Sequence, residues 1–194
     1  METVREFYTT PKTAHTLKWI GVNRNGLTLN HPLGSDIANG MLYVVDIDTV
    51  RWFDMKTGEP KGNVQVPGVI RFNDLEVAAD GTIYATQTGT PDATTWKVYK
   101  ITPQGQASPV ITGAPLNMPN GIAFDLKGNL VVVNIGNNEV LTFSPDGKLI
   151  ATQGGSQFVE CNIWDATNGN NLRSWTVPAG SDFATAPLFT KDGK

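Results

Sequence analysis

Three stretches place oxygen-bearing side chains ahead of an apolar strand: Ser35-Asp36, Asn73-Asp74 and Asn120-Gly121. Amide and carboxylate oxygens are hard donors, and a nest of them suits Ca2+ or Mg2+ better than zinc. A divalent cation in such a nest polarises a carbonyl and lowers the pKa of a bound water. Hydrolysis then needs one carboxylate within reach of that water as general base, a role open to Asp74. The same residues also have a structural use, because Asn and Asp ahead of a strand cap turns with their own side chains. Pro119 and Gly121 fix the backbone around Asn120 and leave its side chain free to point inward, whereas Asp36 reads as a solvated turn residue.

Other chemistries find little support. The two histidines, His15 and His31, are too few for a typical zinc site. There is no Gly-x-Ser-x-Gly elbow and no Gly-rich phosphate loop ahead of a helix pattern. Cys161 is the single cysteine, which excludes an internal disulfide framework. The net charge is -3 and the basic residues are scattered, so a nucleic-acid partner is not expected. No apolar run is long enough to span a bilayer, and the first eight residues carry acidic groups without an apolar core. The expectation is a cytoplasmic protein without a membrane partner.

What must position the candidate residues is a repeat. Turn glycines Gly40, Gly81 and Gly128 each close a polar turn between an apolar strand and one rich in β-branched residues, at steps of 41 and 47. A second hairpin follows each time, turning at Gly58, Gly105 and Gly147. Two hairpins per unit make four strands, and a period in the forties is that of a propeller blade rather than of a sandwich. The expected fold is therefore all-β: antiparallel four-stranded blades, about four blades' worth of chain, in a single domain. Repeats are clear over 33–150, while 1–32 (a loose hairpin at Asn25-Gly26) and 151–194 diverge. Trp19, Trp52, Trp96, Trp164 and Trp175 are spread through the units and read as blade-packing residues.

Two segments carry a more specific likeness. Arg71-Phe72-Asn73-Asp74-Leu75-Glu76-Val77 and Met118-Pro119-Asn120-Gly121-Ile122-Ala123-Phe124, each continuing through an Asp/Gly turn into a β-rich strand, resemble the senescence marker protein/gluconolactonase-like family. The resemblance spans roughly residues 33–150. It implies an incomplete or shortened relative of a six-bladed propeller, acting as a divalent-metal-dependent hydrolase of sugar lactones or acyl-homoserine lactones. By the same resemblance Asn120 is a metal ligand, and Asn73 lies beside the metal and contacts substrate or solvent. The implied cofactor is a divalent cation, Ca2+ first, with Mg2+, Mn2+ or Zn2+ as alternatives. The family also uses a glutamate from its first blade and an aspartate from a later Pro-Asp-Gly-type turn. This sequence has no clear counterpart of either.

Glu160 bears on that gap. If residues 158–171 form an inner hairpin, Glu160 aligns with Asn120, each five residues ahead of an aspartate (Asp165, Asp125). Glu160 would then join Asn73 and Asn120 as a metal ligand and share the catalytic work with Asp74. If instead 162–169 repeats the outer hairpin 51–58, Glu160 falls away from the axis. The alternative to a lactonase is a non-catalytic propeller fragment that presents loops to a partner, or a shortened reading frame. An unclosed ring exposes apolar strand faces, so self-association into a homo-oligomer is expected.

Overall fold

Val, Ile, Tyr and Thr dominate the stretches between the turn glycines, and nearly every such stretch becomes a strand. The fold is seen in a computed structural model, which describes residue 20 and residues 29–144, 149–154, 158–165 and 170–178. The first blade comprises β1 (Pro32–Ala38), β2 (Met41–Asp46), β3 (Thr49–Asp54) and β4 (Pro60–Gln65). The second comprises β5 (Phe72–Val77), β6 (Ile83–Gln87), β7 (Lys97–Ile101) and β8 (Ala107–Thr112). The third begins with β9 (Pro119–Phe124), β10 (Leu130–Asn134), β11 (Glu139–Phe143) and β12 (Leu149–Gly154). Each blade is an antiparallel meander in chain order, as the repeat predicts. Gly40, Gly81 and Gly128 have φ of +74, +83 and +84, the left-handed turn conformation expected of them.

The chain then departs from the repeat. Strands β13 (Phe158–Asp165) and β14 (Asn171–Pro178) do not open a fourth blade. They extend the third sheet outward, in the order β9-β10-β11-β12-β13-β14. Strand β13 pairs antiparallel along the outer edge of β12. Neither sequence reading of residues 158–171 anticipated this placement. The hairpin at Asn25-Gly26, His15, Trp19, Gly147 and the tail 181–194 lie outside the described residues. Among the described residues no helix is long and apolar enough to cross a membrane.

The inner strands β1, β5 and β9 lie side by side, and two apolar cores form where blades meet. The first junction buries Val45 and Val50 against Phe72, Leu75, Val77, Ile83, Tyr99 and Ile101. The second buries Val98 against Leu116, Ile122, Leu130, Val132, Leu141 and Phe143. Each side chain of this size removed from water contributes about 1.5–3 kcal/mol, so the cores set the blades' relative positions.

A repeated polar pin sits at the end of each second strand. Asp46 accepts from the backbone N–H groups of Asn30 (2.9 Å) and His31 (2.7 Å) and from Arg51 Nε (2.9 Å). Gln87 accepts from the N–H of Ile70 at 2.8 Å, and Asn134 donates to the carbonyl of Pro115 at 3.1 Å. These buried side chains hold the segments that lead into the inner strands.

Candidate functional site

All three inner strands carry a bulge at the same place. Between the pairs Phe72↔Gln87 and Leu75↔Ala85, both Asn73 and Asp74 lie opposite Thr86. Asn120 and Gly121 lie likewise opposite Val133, and Leu33 and Gly34 opposite Val45. A bulge inserts one residue and re-aims the side chains around it, which is how a strand presents functional groups at a sheet's end. Asn73 and Asn120 thus occupy equivalent positions on neighbouring inner strands.

The register corrects one part of the sequence alignment. Ser35 was matched with Asn73 and Asn120 because Ser35-Asp36 looks like Asn73-Asp74. Counted from the paired residues, the true counterpart of the two asparagines is Leu33, which is 40% exposed. Asp36 instead corresponds to Glu76, and the first strand brings no oxygen ligand to the bulge itself.

Asp74 stands at the meeting point of all three strands, with a glycine at the equivalent position on either side. A Cβ on Gly34 would lie 2.0 Å from Asp74 Oδ1 and 2.5 Å from its Cα, and one on Gly121 would lie 3.8 Å from Oδ2. The missing side chain at 34 makes room for the carboxylate, whereas a Cβ at 121 would only touch it at ordinary contact distance. Its Oδ2 accepts from the N–H of Ile122 at 3.2 Å. Burial raises the pKa of Asp74, helped by the negative charge of Asp36, while the backbone N–H groups of Ile122 and Leu75 pull it down.

Thr86 ties this arrangement to the next blade. Its hydroxyl accepts from the N–H of Asp74 at 3.2 Å and donates to the backbone carbonyl of Asn120. Thr88 donates to the carbonyl of Pro119 at 2.6 Å. Asn73 and Asn120 are half-buried, and among the described residues their side-chain amides have no hydrogen-bond partner.

Sequence reasoning missed Glu76. It lies two residues beyond Asp74 on β5, and burial pushes its pKa up to about 7 from 4.5, reinforced by the charges of Asp36 and Asp74. The period-2 spacing from Asp74 was the available signal. A common geometry links the carboxylates. Asp36 Oδ2 accepts from the N–H of Val77 at 2.9 Å, and Glu76 accepts from the N–H of Phe124, the matching residue one blade on. Each inner strand therefore caps backbone donors of the next, although the strands are not paired in one sheet.

Glu160 is placed elsewhere. It lies on β13, opposite Gly154 and Thr176, four strand steps from β9. At about 4.8 Å per step that is about 19 Å, so this sheet does not bring Glu160 to Asn120. His31 contributes its backbone N–H to Asp46 and is exposed.

The donor chemistry fits a hard divalent cation: two unpartnered amide oxygens on neighbouring strands, and a desolvated carboxylate next in sequence to one of them. The carboxylates themselves do not converge. Among the described residues no three His, Cys, Asp or Glu side chains gather closely enough to hold a metal ion, because Asp36, Asp74 and Glu76 each turn to a backbone N–H.

Residues 7–131 match the family described as SMP-30/gluconolactonase/LRE-like region. No curated protein sequence matches the chain. Among solved structures, a catalytically inactive virginiamycin B lyase from Staphylococcus aureus with quinupristin is similar at 16% identity and a TM-score of 0.52, covering 82% of this chain and 59% of its own. A streptogramin B lyase is similar at 18% identity and a TM-score of 0.52, covering 84% of this chain and 60% of its own. This chain thus spans about three fifths of the length of those lyases, and at such identity the likeness concerns the fold alone.

Proposed function

The chain belongs to the SMP-30/gluconolactonase/LRE-like family, and from that premise we propose that it is a hydrolase of small lactones, of the sugar-lactone or acyl-homoserine-lactone type. One observation carries the reading: Asn73 and Asn120 keep free amides at equivalent bulges on adjacent strands, beside a carboxylate that Gly34 makes room for.

In this reading Asn73 and Asn120 would hold a divalent cation, Ca2+ by donor type. When bound, the cation supplies Lewis-acid polarisation of the lactone carbonyl. Asp74 takes the proton from the attacking water, with its orientation fixed by the Ile122 N–H. Thr86 holds the backbone of Asn120 and Asp74 together, so that the amide and the base keep one relative position. Burial raises the pKa of both Asp74 and Glu76, a perturbation of the kind that reactive carboxylates show.

The test is hydrolysis of glucono-δ-lactone and hexanoyl-homoserine lactone by wild type and Asp74→Asn, with and without a chelator. The expected result is chelator-sensitive turnover that falls by about two to four orders of magnitude in Asp74→Asn. No turnover of either lactone, or turnover indifferent to both changes, would remove the proposal.

A further inference from the structure

A cavity lies between the first two blades, at the end of the strands opposite the bulges. It has a volume of about 400 Å³ and is lined by Tyr43, Trp52, Asn63 and Gln104, with the turns at Gly81 and Thr102–Gly105 closing it. Asn73 opens β5, whereas Gly81 follows that strand's far end, so this cavity is separate from the bulge site.

Comparison of the two blade junctions explains why it exists. At the second junction Tyr84 packs edge-to-face on Phe124, with ring centroids 5.5 Å apart, and Phe143 fills the space beside them. By register, Tyr43 corresponds to Tyr84, Val77 to Phe124 and Ile101 to Phe143. The first junction therefore has aliphatic residues where the second has two phenyl rings, and the missing volume is open. Without a Phe124 counterpart, Tyr43 lies beside Trp52 instead, at 6.0 Å and 32°.

Trp52 is set deliberately by its neighbours. A Cβ on Gly62 would come within 2.3 Å of Trp52 Cζ2, so the indole rests on bare backbone of β4 and any other residue there would displace it. Around the two rings the Tyr43 hydroxyl, Trp52 Nε1 and the amides of Asn63 and Gln104 make no hydrogen bond within the protein. Among the described residues, no Lys, Arg, Asp, Glu or His lines the cavity. Burial, with Asp36 nearby, raises the pKa of Tyr43, which keeps its hydroxyl neutral.

We propose that this inter-blade cleft binds a neutral sugar ring. A pyranose offers an apolar C–H face to the aromatic pair and a rim of hydroxyls that both donate and accept, as the two amides do. An apolar ligand would leave the half-buried Tyr43 hydroxyl and Trp52 N–H without partners, and an anionic one would find no counter-charge among the lining residues. The volume falls within the range of about 300–1,000 Å³ usual for small-molecule sites.

Calorimetric titration of the full chain with methyl β-glucopyranoside and methyl β-xylopyranoside tests this, with gluconate and adenosine as charged and planar controls. The expected result is saturable, roughly millimolar binding of a neutral glycoside and none of gluconate. Asn63→Ala and Gln104→Ala, both at exposed positions, each weaken it by about threefold or more. Ile101→Phe, which restores the second junction's filling, abolishes it while the protein still melts cooperatively. If Ile101→Phe does not fold, the two amide variants decide alone. No saturable binding of either glycoside, tighter binding of adenosine or gluconate, or unchanged affinity in both amide variants would overturn the proposal.

Discussion

The two blade junctions are built on one backbone repeat and put their side chains to different use. At the second, polar groups crowd the axial end: Asp74, Glu76, Thr86 and Thr88 all reach the backbone of β9 or the residues opening it. Its periphery is filled by Phe124 and Phe143. At the first, the axial end has fewer such bonds, with Asp36 to Val77 and the backbone pair Phe72 N–H to Ile47 carbonyl at 2.7 Å. Its periphery is left open beside Tyr43 and Trp52. A repeat fixes where strands meet and leaves the side chains at each junction free to vary. Here one junction concentrates hydrogen-bonding groups beside Asn120, and the other keeps an unfilled volume.

The largest effect expected is on the first core. Phe72 is fully buried, and Phe72→Ala should cost about 3–5 kcal/mol in urea unfolding. A loss under about 1 kcal/mol would mean that this junction is not held by its apolar contacts. Glycine substitutions should then separate the two sides of Asp74. Gly34→Ala drives a methyl into Asp74 backbone and carboxylate, and should cost about 1–3 kcal/mol together with most lactone turnover. Gly121→Ala meets nothing closer than 3.8 Å and should be the milder of the two in both assays.

Thr86→Val keeps the shape and removes both hydroxyl bonds at the second junction. About 1–3 kcal/mol should be lost there. The first junction already has Val45 at that position, so an unaffected Thr86→Val would show that the two junctions do not differ in this respect. The smallest effect concerns pH. Glu76 holds its proton more firmly folded (about 7) than unfolded (4.5), so its contribution to stability is full below 4.5 and declines as pH rises to about 7. Glu76→Gln keeps an acceptor for the Phe124 N–H and removes the buried charge beside Asp36 and Asp74. Melting temperatures of the variant should gain on wild type between about pH 5 and pH 8. A constant difference across that range would contradict the raised pKa.

Much of this architecture could be read from glycine positions. The turns at Gly40, Gly81 and Gly128 need positive φ, and their spacing gave four strands per blade and the order of the strands. The register of β1 could not be read in the same way. Ser35-Asp36 imitates Asn73-Asp74 in residue type, but the bulge in each strand and a hairpin turn shorter by one residue at Asn39-Gly40 shift the true match to Leu33 and Gly34. The equivalent placement of Asn73 and Asn120 was legible because the likeness of the two segments aligns them. Glu76 and Thr86 were not, since their roles depend on contacts between residues 34 to 48 apart in sequence, on different blades. Glu160 misled for a related reason: local spacing from an aspartate says nothing about which edge a hairpin joins.

Divalent-cation affinity across a double-mutant cycle tests the pooling of Asn73 and Asn120 most directly. Calcium titration of wild type, Asn73→Ala, Asn120→Ala and the double variant should show each single change weakening binding by about tenfold or more. The double variant should be no worse than the weaker single one, because both amides serve one ion. Calcium binding untouched by either substitution, or weakened by only one of them, would show that the two bulges do not share a ligand.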